Sequence, residues 1–103
     1  MDNFAQREEG FERAFAHDEE LRFRARARRN RKLGAWAGEA RGLTGTALSD
    51  YEAAFVSRTI EVGDDEALVA ELVGALPEIS EHRIRRRLDG FGQEAFAEIQ
   101  AGR

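Results

Sequence analysis

The spacing of apolar residues constrains the fold of this 103-residue chain more than any other feature of its sequence. Near the C-terminus, apolar side chains recur at steps of three and four residues, which is the period of one face of an α-helix. They are Ile84, Leu88, Phe91, Ala95 and Ile99. This spacing predicts an amphipathic helix over residues 80–101, with Ser80 as its N-cap.

The same period predicts two further helices before this one. A short helix carries Leu68, Val69, Leu72, Val73 and Leu76. Asp64 can cap its N-terminus, and Pro77 ends it because proline disfavours helix in the residue before it. A longer helix, with Leu48, Tyr51, Phe55 and Val62 on its apolar face, begins after a turn at residues 42–46 and ends at Gly63. The predicted fold class is therefore all-α, in one domain with a core of modest size.

The first predicted helix changes character along its length. Its end carries an apolar stripe that can close a four-helix bundle: Leu33, Trp36, Ala37, Ala40 and Leu43. Followed towards the N-terminus, the stripe meets Arg29, Arg26, Arg22 and Asp18 instead. Residues 18–32 thus have no face apolar enough to bury. We predict a helical bundle over residues 33–103 and a projecting N-terminal arm, helical or partly disordered, over residues 1–32, of which residues 18–32 form a charged stem.

Three phenylalanines in the arm share one helical face, because Phe4, Phe11 and Phe15 are separated by seven and four residues. Two readings remain open for this face. The segment could fold back and pack on the bundle, or it could be an arm that binds a partner protein.

The basic run from Arg22 to Lys32 is also open to more than one interpretation. It could be a solvated helix face, a contact for phosphates or nucleotides, or the binding surface of a small helical nucleic-acid-binding regulator. Acidic segments flank the run, and the pI of the whole chain is about 5.2, which argues against the nucleic-acid reading. Residues 83–87 contain a second arginine cluster with the same ambiguity.

Several classes of function are not indicated by the sequence. The chain has no cysteine, so disulfides and thiolate metal sites are excluded. His17 and His82 are isolated, and neither a catalytic constellation nor a glycine-rich phosphate loop is present, so we expect no enzymatic activity. No apolar run approaches the length of a membrane span, and no signal peptide is recognisable, so we expect a soluble, unexported protein.

Long motifs point to a known family. They are FERAFAHDEELRFRARARRNRKLGAWAGE at residues 11–39, LTGTALSDYEAAFV at residues 43–56, and GDDEALVAELV followed by ISEHRIRRRLD within residues 63–89. On these motifs the chain resembles, over essentially its whole length, the inhibitory zeta subunit of the bacterial F-type ATP synthase.

The resemblance implies a four-helix bundle whose N-terminal segment inserts at a catalytic subunit interface, blocking ATP hydrolysis while permitting synthesis. The implied partners are catalytic and stalk subunits of the synthase, with no direct membrane insertion and no nucleic acid. The protein would be cytoplasmic, peripheral to the membrane through the synthase, and monomeric when free. The inhibitory role falls on Phe4, Arg7, Phe11, Phe15, His17, Asp18 and Glu19. Ala14 stands where a lysine is expected, which bears on the strength of inhibition.

The resemblance also implies that ADP or ATP binds the bundle as a regulatory ligand, with no cofactor required. The two basic clusters are the concentrated cations of the chain, and we assign the nucleotide to them. The assigned residues are Arg28, Arg29, Asn30, Lys32, Trp36, His82, Arg85 and Arg86.

Overall fold

The structure, a computed structural model, describes residues 19–103 and shows four helices. They are α1 (Glu19–Ala40), α2 (Gly45–Val62), α3 (Asp65–Ala75) and α4 (Glu81–Gln100). This part of the chain contains no strand, which confirms the predicted all-α fold class. None of the four helices is long and apolar enough to cross a bilayer. Phe4, Arg7, Phe11, Phe15, His17 and Asp18, which were assigned to inhibition, lie outside the described residues.

The helix ends follow the local signals in the sequence. The Asp64 carboxylate accepts a hydrogen bond from the Ala67 backbone N–H at 2.8 Å, and the Ser80 hydroxyl accepts one from the Arg83 backbone N–H at 3.1 Å. Both side chains cap the helices for which they were predicted. Gly63 ends α2 with a φ of 86°, a left-handed conformation that glycine adopts without a steric penalty.

One hydrophobic core joins the four helices, and α1 lies at its centre, in contact with both α2 and α4, while α3 packs on α4. Its buried residues are Leu33, Ala37, Phe55, Leu68, Val69, Leu72, Leu76, Ile84 and Leu88. Trp36 is partly buried against this core, as is Phe91. Two residues of the predicted apolar stripes, Ala40 and Val73, are exposed instead, because each lies at the edge of its stripe near the end of its helix.

The expectation that residues 18–32 have no buried face is wrong for Ala25 and Arg29. Ala25 is completely buried and Arg29 is only 7% exposed, within an α1 that runs without a break across position 32. The reason is that α4 extends far enough to cover this part of α1. Gly92 of α4 has no side chain, which leaves space for the aliphatic part of Arg29. That residues 1–32 act as a separate unit from residues 33–103 stays a prediction.

Close packing of α1 on α2 depends on two glycines. A methyl group at position 34 would lie 2.9 Å from Phe55 Cδ1, and one at position 38 would lie 2.6 Å from Leu48 Cδ1. Both distances are shorter than ordinary van der Waals contact. Glycine at these positions therefore sets how closely the two helices approach.

Candidate functional site

Two of the three basic residues of α1 that were assigned to nucleotide, Arg28 and Lys32, are held by carboxylates of α4. Arg28 Nη1 lies 3.3 Å from Glu98 Oε1, and Lys32 Nζ lies 2.8 Å from Glu98 Oε2 and 3.3 Å from Glu94 Oε1. The hydrogen bond from Lys32 lowers the pKa of Glu98, and the same bond raises the pKa of Lys32. These contacts join the middle of α1 to the last turns of α4.

Arg29 makes a different contact, with the start of α3. Its Nη1 and Nη2 atoms donate to Asp65 Oδ2 and Oδ1 at 3.1 and 2.8 Å, in the two-pronged geometry that guanidinium and carboxylate favour. Its Nε atom donates to Asn30 Oδ1 at 3.0 Å. All three nitrogens of the Arg29 guanidinium therefore donate to protein oxygens, and its role in this structure is to join α1 to α3.

Arg85 is also engaged within the protein. Its Nη1 and Nη2 atoms each lie 2.8 Å from a carboxylate oxygen of Glu66, and its Nε atom lies 2.9 Å from Glu81 Oε2. The hydrogen bonds from Arg85 lower the pKa of Glu66. The hydrogen bonds to Glu66 and Glu81 in turn raise the pKa of Arg85. Arg85 thus binds α3 and differs from the rest of the second arginine cluster.

The other cations of that cluster surround an open cavity of about 610 Å³, which we call the cationic pocket. It is lined by Ser80, His82, Arg83, Arg86, Arg87, Gly90, Phe91 and Glu94. Within residues 19–103, the side chains of Arg83 and Arg86 make no ion pair, and the Arg87 guanidinium lies 5.8 Å from the centre of the Trp36 ring. Three arginines and one carboxylate, that of Glu94, therefore line a space large enough for a small anionic ligand.

The structure divides the residues that the sequence assigned to nucleotide into two groups. Arg28, Arg29, Asn30, Lys32 and Arg85 are bound to other protein groups. His82 and Arg86 line the cationic pocket, whereas Trp36 does not line it and contacts Arg87, which does. The sequence-based site did not include Arg83, Arg87 and Phe91. Their spacing of four residues on one face of α4 was the signal that could have found them.

Metal binding has no support in this part of the molecule. No group of three or more histidine or acidic side chains within residues 19–103 could hold a metal ion. The chemistry that the cationic pocket offers is charge-assisted hydrogen bonding to an anion, next to the ring of Phe91.

Comparison with known proteins finds one family. The chain matches the family described as ATPase inhibitor subunit zeta, and the match covers residues 1–98. It includes the N-terminal segment as well as nearly all of the four helices. Neither a curated protein nor a solved structure matches the chain.

Proposed function

We propose that this chain, which belongs to the ATPase inhibitor subunit zeta family, inhibits an F-type ATP synthase by inserting its N-terminal segment at a catalytic subunit interface. The match confirms the family predicted from the sequence motifs, and the family supports a regulatory role. In the proposed mechanism the inserted segment blocks ATP hydrolysis while synthesis continues. The chain is a monomer when free, binds catalytic and stalk subunits of the synthase, and performs no catalysis of its own. It lies in the cytoplasm, at the membrane surface only through its attachment to the synthase.

The observation that carries this proposal is the family match, because it extends through residues 1–18 as well as the helices. The geometry of α1 adds support. A segment that stops a rotary enzyme needs a rigid attachment to the rest of the inhibitor. The helix α1 can provide it, because it extends from Glu19 to Ala40 as one helix and its second half lies in the core. Its middle is held by the Arg28–Glu98, Lys32–Glu98 and Arg29–Asp65 ion pairs.

Replacing Phe11 and Phe15 by alanine in the full chain tests the insertion. Burial of one phenylalanine contributes about 1.5–3 kcal/mol, so loss of both should weaken inhibition of hydrolysis on the order of a hundredfold. The measurement is ATP hydrolysis and ATP synthesis, recorded separately on membranes that receive the purified protein. Inhibition at wild-type concentrations by the double variant would contradict the proposed role of these two residues.

The same proposal includes a regulatory site for ADP or ATP, which we place at the cationic pocket. Arg83, Arg86 and Arg87 bind the phosphates, and the ring of Phe91 or Trp36 lies beside the base. This placement is supported by charge, since these arginines have no carboxylate partner among the described residues. A phosphate at Arg28 or Lys32 would first have to displace Glu98.

Titration with ADP tests this site. Trp36 is the single tryptophan of the chain, so its fluorescence should change with saturation as Arg87 moves towards the phosphates. We expect Arg86→Gln to weaken binding about tenfold or more, since it removes one charge-assisted contact. Arg28→Gln serves as the matched control and should leave the affinity unchanged. A loss of affinity in Arg28→Gln without a loss in Arg86→Gln would instead indicate that the nucleotide binds at α1.

The alternative of a nucleic-acid-binding regulator has less support. Its surface was the basic run from Arg22 to Lys32, and in the structure Arg28, Arg29 and Lys32 are paired with carboxylates. Recovery of nuclease-sensitive material with the protein from cell extract, in place of synthase subunits, would favour this alternative.

A further inference from the structure

An apolar groove lies between α1, α2 and the start of α3, on a different surface from the cationic pocket. We call it the Phe23–Ile60 groove. Its volume is about 280 Å³, and its apolar lining comes from Phe23, Ala27, Val56, Ile60 and Leu68. Phe23 is 65% exposed and Ile60 is 70% exposed, more than any other large hydrophobic side chain among the described residues.

The exposure of these two side chains is not explained by a lack of core. The same two helices also carry completely buried side chains, Leu33 on α1 and Phe55 on α2, so both helices contribute to the interior. Large apolar side chains that flank a cleft are typical of surfaces that bind another protein. An inhibitor subunit must contact an ATPase, and this groove has the composition of such a contact.

The position of the groove relates it to the N-terminal segment. Phe23 lies four residues after Glu19, the first residue of α1, which is about 6 Å along the helix axis at 1.5 Å per residue. Residue 18 is joined directly to this end of α1. A protein that holds residues 1–18 is therefore brought close to Phe23, which lines the groove.

An ion pair joins two of the helices that form the groove. Arg29 and Asp65 both line the groove, and their two hydrogen bonds of 3.1 and 2.8 Å hold α1 against the start of α3. Since the cleft is already formed in the free protein, a partner does not need to order it on binding. Such preformed clefts bind apolar anchors well, as the centres of protein interfaces show.

We infer that the Phe23–Ile60 groove is a second docking surface, which receives a hydrophobic side chain of the synthase subunit that holds the N-terminal segment. The inference rests on the proposed function and adds to it a contact made by the folded part of the chain. The groove sets the orientation of α1 on the enzyme, while residues 1–18 enter the catalytic interface.

The experiment compares two full-length variants with the wild type. Phe23→Gln combined with Ile60→Gln removes the apolar character of the groove, and both positions lie on exposed faces of helices. Val73→Gln is the matched control, because Val73 is the third exposed large hydrophobic side chain among those that the structure describes, and it lies on α3 outside the lining of the groove. Binding to purified ATP synthase, inhibition of hydrolysis and thermal melting are measured for each protein.

We expect the groove variant to bind and inhibit at least tenfold more weakly while melting at the wild-type temperature. We expect Val73→Gln to behave as the wild type in all three measurements. If the groove variant melts several degrees lower than the wild type, binding and inhibition are measured with the single variant Ile60→Thr instead. Threonine keeps the branched side chain but removes apolar surface.

Three results would overturn the inference, each for a different reason. Unchanged binding by the groove variant, with a wild type that binds and inhibits, would reject the groove and leave the proposed function intact. Failure of the wild type to bind the synthase would reject both. The third result is a different occupant of the groove. If the occupant is a second copy of the chain, sedimentation would show a dimer that dissociates in the groove variant. If the occupant is the chain's own N-terminal segment, a change at Ile60 would shift the amide resonances of residues 1–18 in the free protein.

Discussion

At the scale of single residues, Arg29 and Arg31 show how the same side chain serves two purposes. Arg29 is nearly buried and bound to Asp65, whereas Arg31 is exposed on the outer side of α1. Two positions correspond to a rotation of about 200° around a helix, so the two arginines point in nearly opposite directions. The consequence is that the arginine-rich run contains both structural and surface residues.

Replacing each arginine by methionine should separate these roles. In Arg29→Met the apolar stem is retained but Asp65 loses the two hydrogen bonds from Arg29, and we expect a loss of about 2–3 kcal/mol in the free energy of unfolding. This is below the range of about 3–5 kcal/mol for a fully buried pair, since the Asp65 side chain keeps 17% exposure. Arg31→Met should change stability by less than about 0.5 kcal/mol. Urea denaturation measures both, and equal effects would contradict the assigned roles.

The Lys32–Glu98 pair predicts how stability depends on pH. The pKa of Glu98 is lowered from its ordinary value of 4.5 by the hydrogen bond from Lys32. A carboxylate with a lowered pKa in the folded state stabilises the protein above the unfolded pKa, and this contribution disappears as pH falls through the folded value. Glu98→Gln should therefore melt below the wild type at pH 7, and the difference should close below about pH 4.5.

The control for this measurement is Glu78→Gln. Glu78 is exposed and has no ion pair within residues 19–103. Its substitution should give a melting temperature close to that of the wild type at both pH values. If the difference in melting temperature between the wild type and Glu98→Gln is the same at acidic pH as at pH 7, the charge of Glu98 does not contribute to stability.

At the scale of elements, α1 organises the molecule because small residues let its neighbours approach. Ala25, Gly34, Ala37 and Gly38 are all buried along this one helix. Gly34 lies against the ring of Phe55, and Gly38 against Leu48 and Tyr51. Glycine lowers the intrinsic stability of a helix by about 1 kcal/mol relative to alanine, so its presence here reflects packing between helices.

Gly34→Ala tests this interpretation. The added methyl group would lie 2.9 Å from Cδ1 of a completely buried phenylalanine, and such overpacking costs about 1–3 kcal/mol. The gain in helix propensity offsets about 1 kcal/mol of this cost, so we expect a net loss of up to about 2 kcal/mol. Gly74→Ala on α3, where a methyl group meets nothing within 4 Å, should instead raise stability by about 0.5–1 kcal/mol. Chemical denaturation of the two variants decides, and a stabilised Gly34→Ala protein would refute the packing argument.

At the scale of the whole molecule, the described residues close a core by themselves. Among the described residues, the buried cluster is drawn from residues 33–88, and α1 is held by hydrophobic contacts as well as ion pairs. We therefore expect residues 19–103 to fold without residues 1–18.

Deletion of residues 1–18 tests this independence. The truncated chain should keep its helical circular dichroism and melt within about 4 °C of the full chain, which corresponds to less than about 1 kcal/mol for a domain of this size. Leu88→Ala, in the core, should cost about 2–5 kcal/mol and provides the comparison. A truncated chain that melts as low as Leu88→Ala would place the N-terminal segment within the fold.

The features that the sequence determined by itself are those set by nearby residues. The spacing of apolar residues predicted the helices, and Asp64, Ser80 and Gly63 predicted three of their ends, because a cap forms with a partner only three or four residues away. The long motifs identified the family, since their specificity lies in the order of residues and not in their contacts.

Only the tertiary structure decided which charged residues are bound and which are available. Arg28 pairs with Glu98, which is 70 positions away, and Arg85 pairs with Glu66, 19 positions away, while Arg86 remains open to the cationic pocket. Helical periodicity tells which residues share a face of one helix, but it does not tell which other helix covers that face. The burial of Arg29 and the exposure of Ile60 depend on that second helix, so neither follows from local sequence.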